Sequence, residues 1–128
     1  MCTLFDLLFA DDKDKELMEI LLALYVFSGL LLAALSVPLI KHKIPPNGLY
    51  GFRVPSTMEN PDLWYKVNEY AGMRLLVVGL GTSIGSSILY FIYPFSLDAY
   101  AYSCLGWFLA LFLWAIITSF LYLKSMQQ

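Results

Sequence analysis

The stretch LMEILLALYVFSGLLLAALSVPLI, Leu17 to Ile40, decides the fold. Its only charge is Glu19, near its start. At about 1.5 Å rise per residue, a helix of this run reaches roughly 36 Å, enough to cross the hydrocarbon of a bilayer with some tilt. Pro38 falls in the last turn, where a missing N–H disturbs a helix least. The chain around the run agrees: of 128 residues, 59% are hydrophobic and 14% charged, with a mean hydropathy of +0.67. A soluble domain of that size needs more charge to cover its surface, so the reading is an integral membrane protein of a single domain.

Two more uncharged runs follow, Leu75 to Phe95, with Pro94 at its end, and Tyr100 to Leu123, followed by Lys124. Only Ser96 to Ala99 join them, which forces an antiparallel hairpin. The expected fold is all-α: three transmembrane helices, spans 17–40, 75–95 and 100–123, with a structured connector, 41–74, and a juxtamembrane helix between the first and second. Ahead of this membrane domain, 17–128, residues 1–16 form a separate tail. Leu4, Leu7 and Leu8 share one helical face there, suited to a short interfacial helix. The start has no basic n-region and carries Asp6 in its apolar stretch, so it does not read as a secretory signal.

Basic residues near the span ends set the orientation. Lys41, Lys43, Arg53, Lys66, Arg74 and Lys124 flank one side, against Lys13 and Lys15 on the other. The connector and C-terminus are therefore expected in the cytoplasm and the N-terminus outside. The outer side carries most of the acids, Asp6, Asp11, Asp12, Asp14, Glu16, Glu19 and Asp98, which either simply solvate the outer tail or form a rim able to attract cationic peptides. Tyr90, Tyr93, Tyr100 and Tyr102 are expected at the outer interface, with Tyr50, Trp64, Tyr65, Tyr70 and Tyr122 near the inner one.

The second span contains GLGTSIGSS, in which Gly81 and Gly85 stand four apart beside Thr82 and Ser86. Such spacing lets helix backbones approach closely, and Gly29 with Ala33, and Gly106 with Ala110, offer small faces on the other spans. No span carries a charge near mid-bilayer, which disfavours a transporter with a buried ionisable site. Cys2 and Cys104 form no Cys-x-x-Cys pair, and His42 is the only histidine. No metal, cofactor or catalytic constellation is recognisable, and no enzyme is expected.

The connector is too long to be a bare link between helices. Asn60, Pro61 and Asp62 supply an N-cap, a first-turn proline and a dipole-matched acid, so a helix starts there and runs through Trp64 and Asn68 toward the second span. Trp64, Asn68 and Gly72 fall on one face of it, expected near the membrane interface with Trp64 as a headgroup anchor. Before it, IPPNGLYGFRVPST reads as irregular: two prolines, an Asn-Gly turn, and Val54 pushed out of the α region by Pro55. Asn47, Arg53 and Thr57 are suited to satisfy its free backbone groups. Arg53 is open to three uses: bridging carbonyls, pairing with a carboxylate such as Glu69, or meeting a lipid phosphate.

Asn47, Gly51, Arg53, Pro55 and Thr57, followed by Trp64, Asn68 and Gly72, resemble the signature of the SdpI-type membrane proteins. The resemblance implies a polytopic protein of the bacterial cytoplasmic membrane. The family's namesake confers immunity to a secreted antimicrobial peptide and signals by holding a repressor at the membrane. The namesake has further spans ahead of the matching region, where this chain carries the three-span unit. The partners so implied are membrane lipid, a peptide toxin and a cytoplasmic regulator, with no nucleic acid. The alternative is a small accessory subunit packing its glycine and serine faces on a larger membrane protein.

Overall fold

The computed structural model describes residues 4–92 and 96–128, with side chains from residue 12 onward. Four helices follow in order: α1 (Leu4–Ile40), α2 (Pro55–Glu59), α3 (Pro61–Ile92) and α4 (Leu97–Met126). Among the described residues there is no strand. Three helices are long and apolar enough to cross a membrane, Asp12–Ile40, Pro61–Ile92 and Leu97–Met126, so this is a multi-pass membrane protein.

The first helix has no break between tail and span. It is continuous from Leu4, and the acids and lysines of residues 12–16 ride exposed on it ahead of the span. The expected helical face of Leu4, Leu7 and Leu8 lies outside the described side chains, as do Asp6, Asp11 and Cys2. Tyr93, Pro94 and Phe95, the last three residues of the expected second span, lie outside the described residues too. The juxtamembrane helix and the second span are one helix, because nothing from Pro61 to Ile92 removes a backbone donor or forces a turn. Asn60 caps it as expected, its Oδ1 accepting the N–H groups of Asp62 (3.1 Å) and Leu63 (3.2 Å).

α3 is the central helix, packed antiparallel to α1 on one side and to α4 on the other. Against α1 the backbones touch at Gly79, where a Cβ would meet the carbonyl of Gly29 and come within 2.7 Å of the Ala33 nitrogen. Towards the connector, Gly72 faces Leu39, Ile40 and the Ser36 carbonyl. Against α4, Gly81 and Gly85 leave room for larger partners, Leu111 and Trp107. The close α1 contact thus uses Gly79 with Ser83, and Gly81 and Gly85 receive side chains of α4. Gly106 has nothing within 4 Å of its would-be Cβ, and with Ala110 it edges an open crevice beside Gly85.

Hydroxyls and indoles tie the helices where no water competes. Ser83 donates to the Val26 carbonyl at 2.9 Å, Tyr100 to the Ser86 carbonyl at 3.1 Å, Tyr25 to the Ala101 carbonyl at 3.3 Å, and the Trp107 indole to the Gly81 carbonyl at 2.9 Å. Tyr100 is fully buried, so it is a core residue and not the interface aromatic expected of it. Its phenol is spent on a neighbouring helix, which a ring turned to the headgroups cannot do.

Gly79→Ala is expected to force α1 and α3 apart, at a cost of about 1–3 kcal/mol, the usual range for overpacking. Gly106→Ala, into open space, should change nothing. Thermal stability of the two variants in detergent, followed by size-exclusion recovery, checks this; equal effects would contradict the crossing.

Candidate functional site: the connector knot

The connector begins where α1 ends. His42 takes a left-handed conformation (φ 56), and the chain closes behind it with His42 N–H to Leu39 O (3.2 Å) and Lys43 N–H to Pro38 O (2.9 Å). This is a Schellman turn with histidine where glycine is usual. The His42 Nε2 then meets Glu69 Oε2 of α3 at 2.5 Å, both groups partly exposed. Glu69 is therefore engaged by His42 and leaves Arg53 without that partner.

The next residues wind around one side chain. Asn47 Oδ1 accepts the N–H groups of Leu49 (2.9 Å) and Tyr50 (2.8 Å), while its Nδ2 donates to the carbonyls of Pro45 (2.8 Å) and Tyr50 (3.1 Å). One amide thus satisfies four backbone groups of a loop that has no ladder to join. Arg53 bonds through Nη1 to the Gly48 carbonyl and is otherwise exposed.

The loop is fastened to α3 by Trp64 and Asn68, which are 0% and 1% exposed. The Trp64 indole N–H donates to the Ile44 carbonyl at 2.8 Å. Asn68 Oδ1 accepts the Phe52 N–H at 2.6 Å, and its Nδ2 donates to the Trp64 carbonyl at 2.9 Å. Trp64 is not a headgroup anchor, because the connector covers it and uses its only donor. Gly51 passes directly over this pair with φ +117; a Cβ there would lie 2.7 Å from Asn68 Oδ1 and 3.0 Å from the Trp64 ring. Both the backbone angle and the space call for glycine.

Pro55 to Thr57, expected as irregular, open the short helix α2 instead. Val54 is extended (φ −129, ψ 161), as a residue before proline should be, and Pro55 then takes the first helical turn. The buried Thr57 hydroxyl accepts the Val54 N–H (3.1 Å) and faces the carbonyls of Phe52 (3.0 Å) and Val54 (2.9 Å). A proline start with a threonine reaching back is a helix signal that the prolines alone had masked.

Beneath the loop, a cleft of ≈ 260 Å³ is lined by Leu39, Tyr50, Phe52, Ala71, Phe112 and Ser119 among others, and Phe52 sets its ring edge-on to Phe120 of α4 at 4.9 Å. The connector thereby bridges all three long helices. The Tyr50 hydroxyl is buried without a partner among the described residues, and burial pushes its phenol above the usual range, so it stays neutral. No three histidine, cysteine, aspartate or glutamate side chains among the described residues stand close enough to hold a metal ion.

All eight signature residues lie in or against this knot. Asn47, Thr57, Trp64 and Asn68 bond to backbone carbonyls or N–H groups, Gly51 and Gly72 sit at close approaches, and Pro55 and Arg53 are exposed. Sequence reasoning passed over Ile44, Phe52 and the His42–Glu69 pair. The one readable signal was that an indole N–H and a mid-helix asparagine in an apolar chain each demand a partner.

Asn68→Ala leaves the Phe52 N–H unpaired and is expected to cost about 1–3 kcal/mol and expose the connector to limited proteolysis. Gly51→Ala should do at least as much, Arg53→Ala should leave cleavage unchanged, and Tyr50→Phe should be neutral or stabilising. Protection of the Asn68 and Gly51 variants equal to wild type would contradict the knot.

A model of the SdpI/YfhL protein family matches residues 43–122. No curated protein and no solved structure matches the chain. The matched segment takes in the knot, α2, all of α3 and most of α4, well over half of the 128 residues. The chain is a multi-pass membrane protein that belongs to the SdpI/YfhL family.

Proposed function

We propose that the protein protects the bacterium that carries it against a secreted, membrane-active antimicrobial peptide. Family membership carries this reading, since the family's namesake is an immunity protein. Two features support it. The acids Asp12, Asp14 and Glu16 sit exposed on the part of α1 that precedes the span, with the exposed Glu19 just inside it, a helical end that can gather a cationic peptide. The knot at the other end clamps the helices into one body, so an encounter at one end meets a rigid bundle. In this reading the exposed Arg53 fork is the contact for a cytoplasmic regulator.

The test is survival of a sensitive strain expressing the protein under challenge with a panel of related peptides. Survival should rise, Asn68→Ala should abolish the gain, and replacing Asp12, Asp14 and Glu16 by their amides should weaken it. Unchanged survival across the panel would overturn the reading.

The protein resides in the bacterial cytoplasmic membrane in this account, with the connector and C-terminus inside, a placement that the basic flanks support. A fluorescent reporter that folds only in the cytoplasm should light when fused to the C-terminus, and an enzyme reporter active only outside should work at the N-terminus. The reverse pattern would invert the assignment.

A further inference from the structure

Arg74 is a permanent cation set into α3, two residues past the Gly72 contact with the end of α1 and just before the uncharged run. A guanidinium at such a depth needs a counter-charge or a route to water. The nearest acid in the sequence is Glu69, which lies about 140° round the helix axis from Arg74 and is engaged by His42. Asp62, in the first turn of α3, precedes Arg74 by three turns, roughly 18 Å along the axis at 1.5 Å per residue, and Glu59 ends α2. Among the described residues no carboxylate pairs with it.

What holds Arg74 is aromatic. Its guanidinium carbon lies 4.5 Å from the centroid of Tyr70 and 4.8 Å from that of Trp114, and Nη2 donates to the Tyr70 hydroxyl at 2.7 Å. Tyr70 is fixed in turn by flat stacking on Tyr122 of α4, with centroids 4.2 Å apart and planes 4° off parallel. Nε is buried with no partner among the described residues. The side chain is therefore pinned, bent toward the connector end of α3, with charge uncompensated and most of its donors unused. Lys66, one turn beyond Tyr70 on the same face, shares a cleft with Glu69, Tyr70 and Tyr122, so that cleft holds one cation and one carboxylate and Arg74 is the cation without a partner.

The surroundings face lipid. Trp114, Met73 and Val77 are exposed apolar side chains of membrane-crossing helices. An anion that arrives at this depth and height must itself be part of the bilayer. We propose that Arg74, held between Tyr70 and Trp114, is a binding site for the phosphate of an anionic phospholipid in the leaflet on the connector side. The planar fork suits two phosphate oxygens, and the aromatic rings orient it without neutralising it. A basic position between helices at the interface is where such headgroups bind.

Native mass spectrometry of the full chain, released from detergent carrying equal phosphatidylglycerol and phosphatidylcholine, tests it. Wild type should retain one phosphatidylglycerol in preference to phosphatidylcholine by about fivefold or more, the scale of one interfacial cation. Arg74→Gln should bring the ratio close to one, while Arg53→Gln should leave it as in wild type. Arg74→Lys keeps the charge without the fork and should fall between; it decides the matter should the glutamine variant fail to fold, and a ratio equal to wild type there would overturn the proposal. So would no preference in wild type, or an unchanged preference in Arg74→Gln. Millimolar inorganic phosphate should not displace the lipid; displacement would assign the site to free phosphate and refute the lipid.

Discussion

The structure turns on a single carboxamide. Asn68 is buried in α3 and uses both ends of its amide, accepting from Phe52 and donating to the Trp64 carbonyl one turn back. An asparagine sealed among apolar groups would be expensive if unpaired, so the loop that brings Phe52 to it is held there by the avoided loss as much as by the bond. Everything the connector does follows. Phe52 must lie over α3, Gly51 must cross with no side chain, and the Trp64 indole is covered and must find its acceptor at Ile44.

The same accounting explains the helices. In lipid there is no water to take up a stray donor, so the buried hydroxyls of the spans bond to a carbonyl of their own or a neighbouring helix. Ser83 reaches α1, Tyr25 and Tyr100 join α1 and α3 to α4, and Thr82 and Ser119 fold back on their own helices. Small residues decide how near the backbones come, and α3 carries them on two faces: Gly72, Gly79 and Ser83 towards α1, Gly81 and Gly85 towards α4. The loop, fixed across all three helices, fastens the end of the bundle that holds the family signature.

Much of this was legible in the residues. Length and lack of charge announce three membrane-crossing helices, and Asn60-Pro61-Asp62 marks the start of α3 to the residue. The glycine pattern announced close packing, but the register that chose Gly79 over Gly81 for α1 depends on where the connector docks, a tertiary fact. Trp64 and Tyr100 misled for one reason: aromatics with a polar tip suit both a headgroup layer and a buried bond, and the sequence does not say which acceptor waits nearby. The expectation that Asn47, Thr57 and Arg53 serve the loop's own backbone holds, while the geometry adds that Asn68 does the same from α3 and that Arg53, bonded to Gly48, is otherwise exposed.

The central claim is that the connector is a fixed piece of structure, ordered by α3 without any partner. Amide hydrogen exchange of the purified protein in nanodiscs tests it most directly, read at Phe52, whose N–H is held by Asn68, against Gly48 at the loop's exposed turn. The account expects Phe52 to exchange slower than an unstructured peptide by about a hundredfold or more, on the scale of a buried bond that opens only with the local structure. A Phe52 amide that exchanges as fast as Gly48 and at the free-peptide rate would show the connector to be loose and would contradict the account.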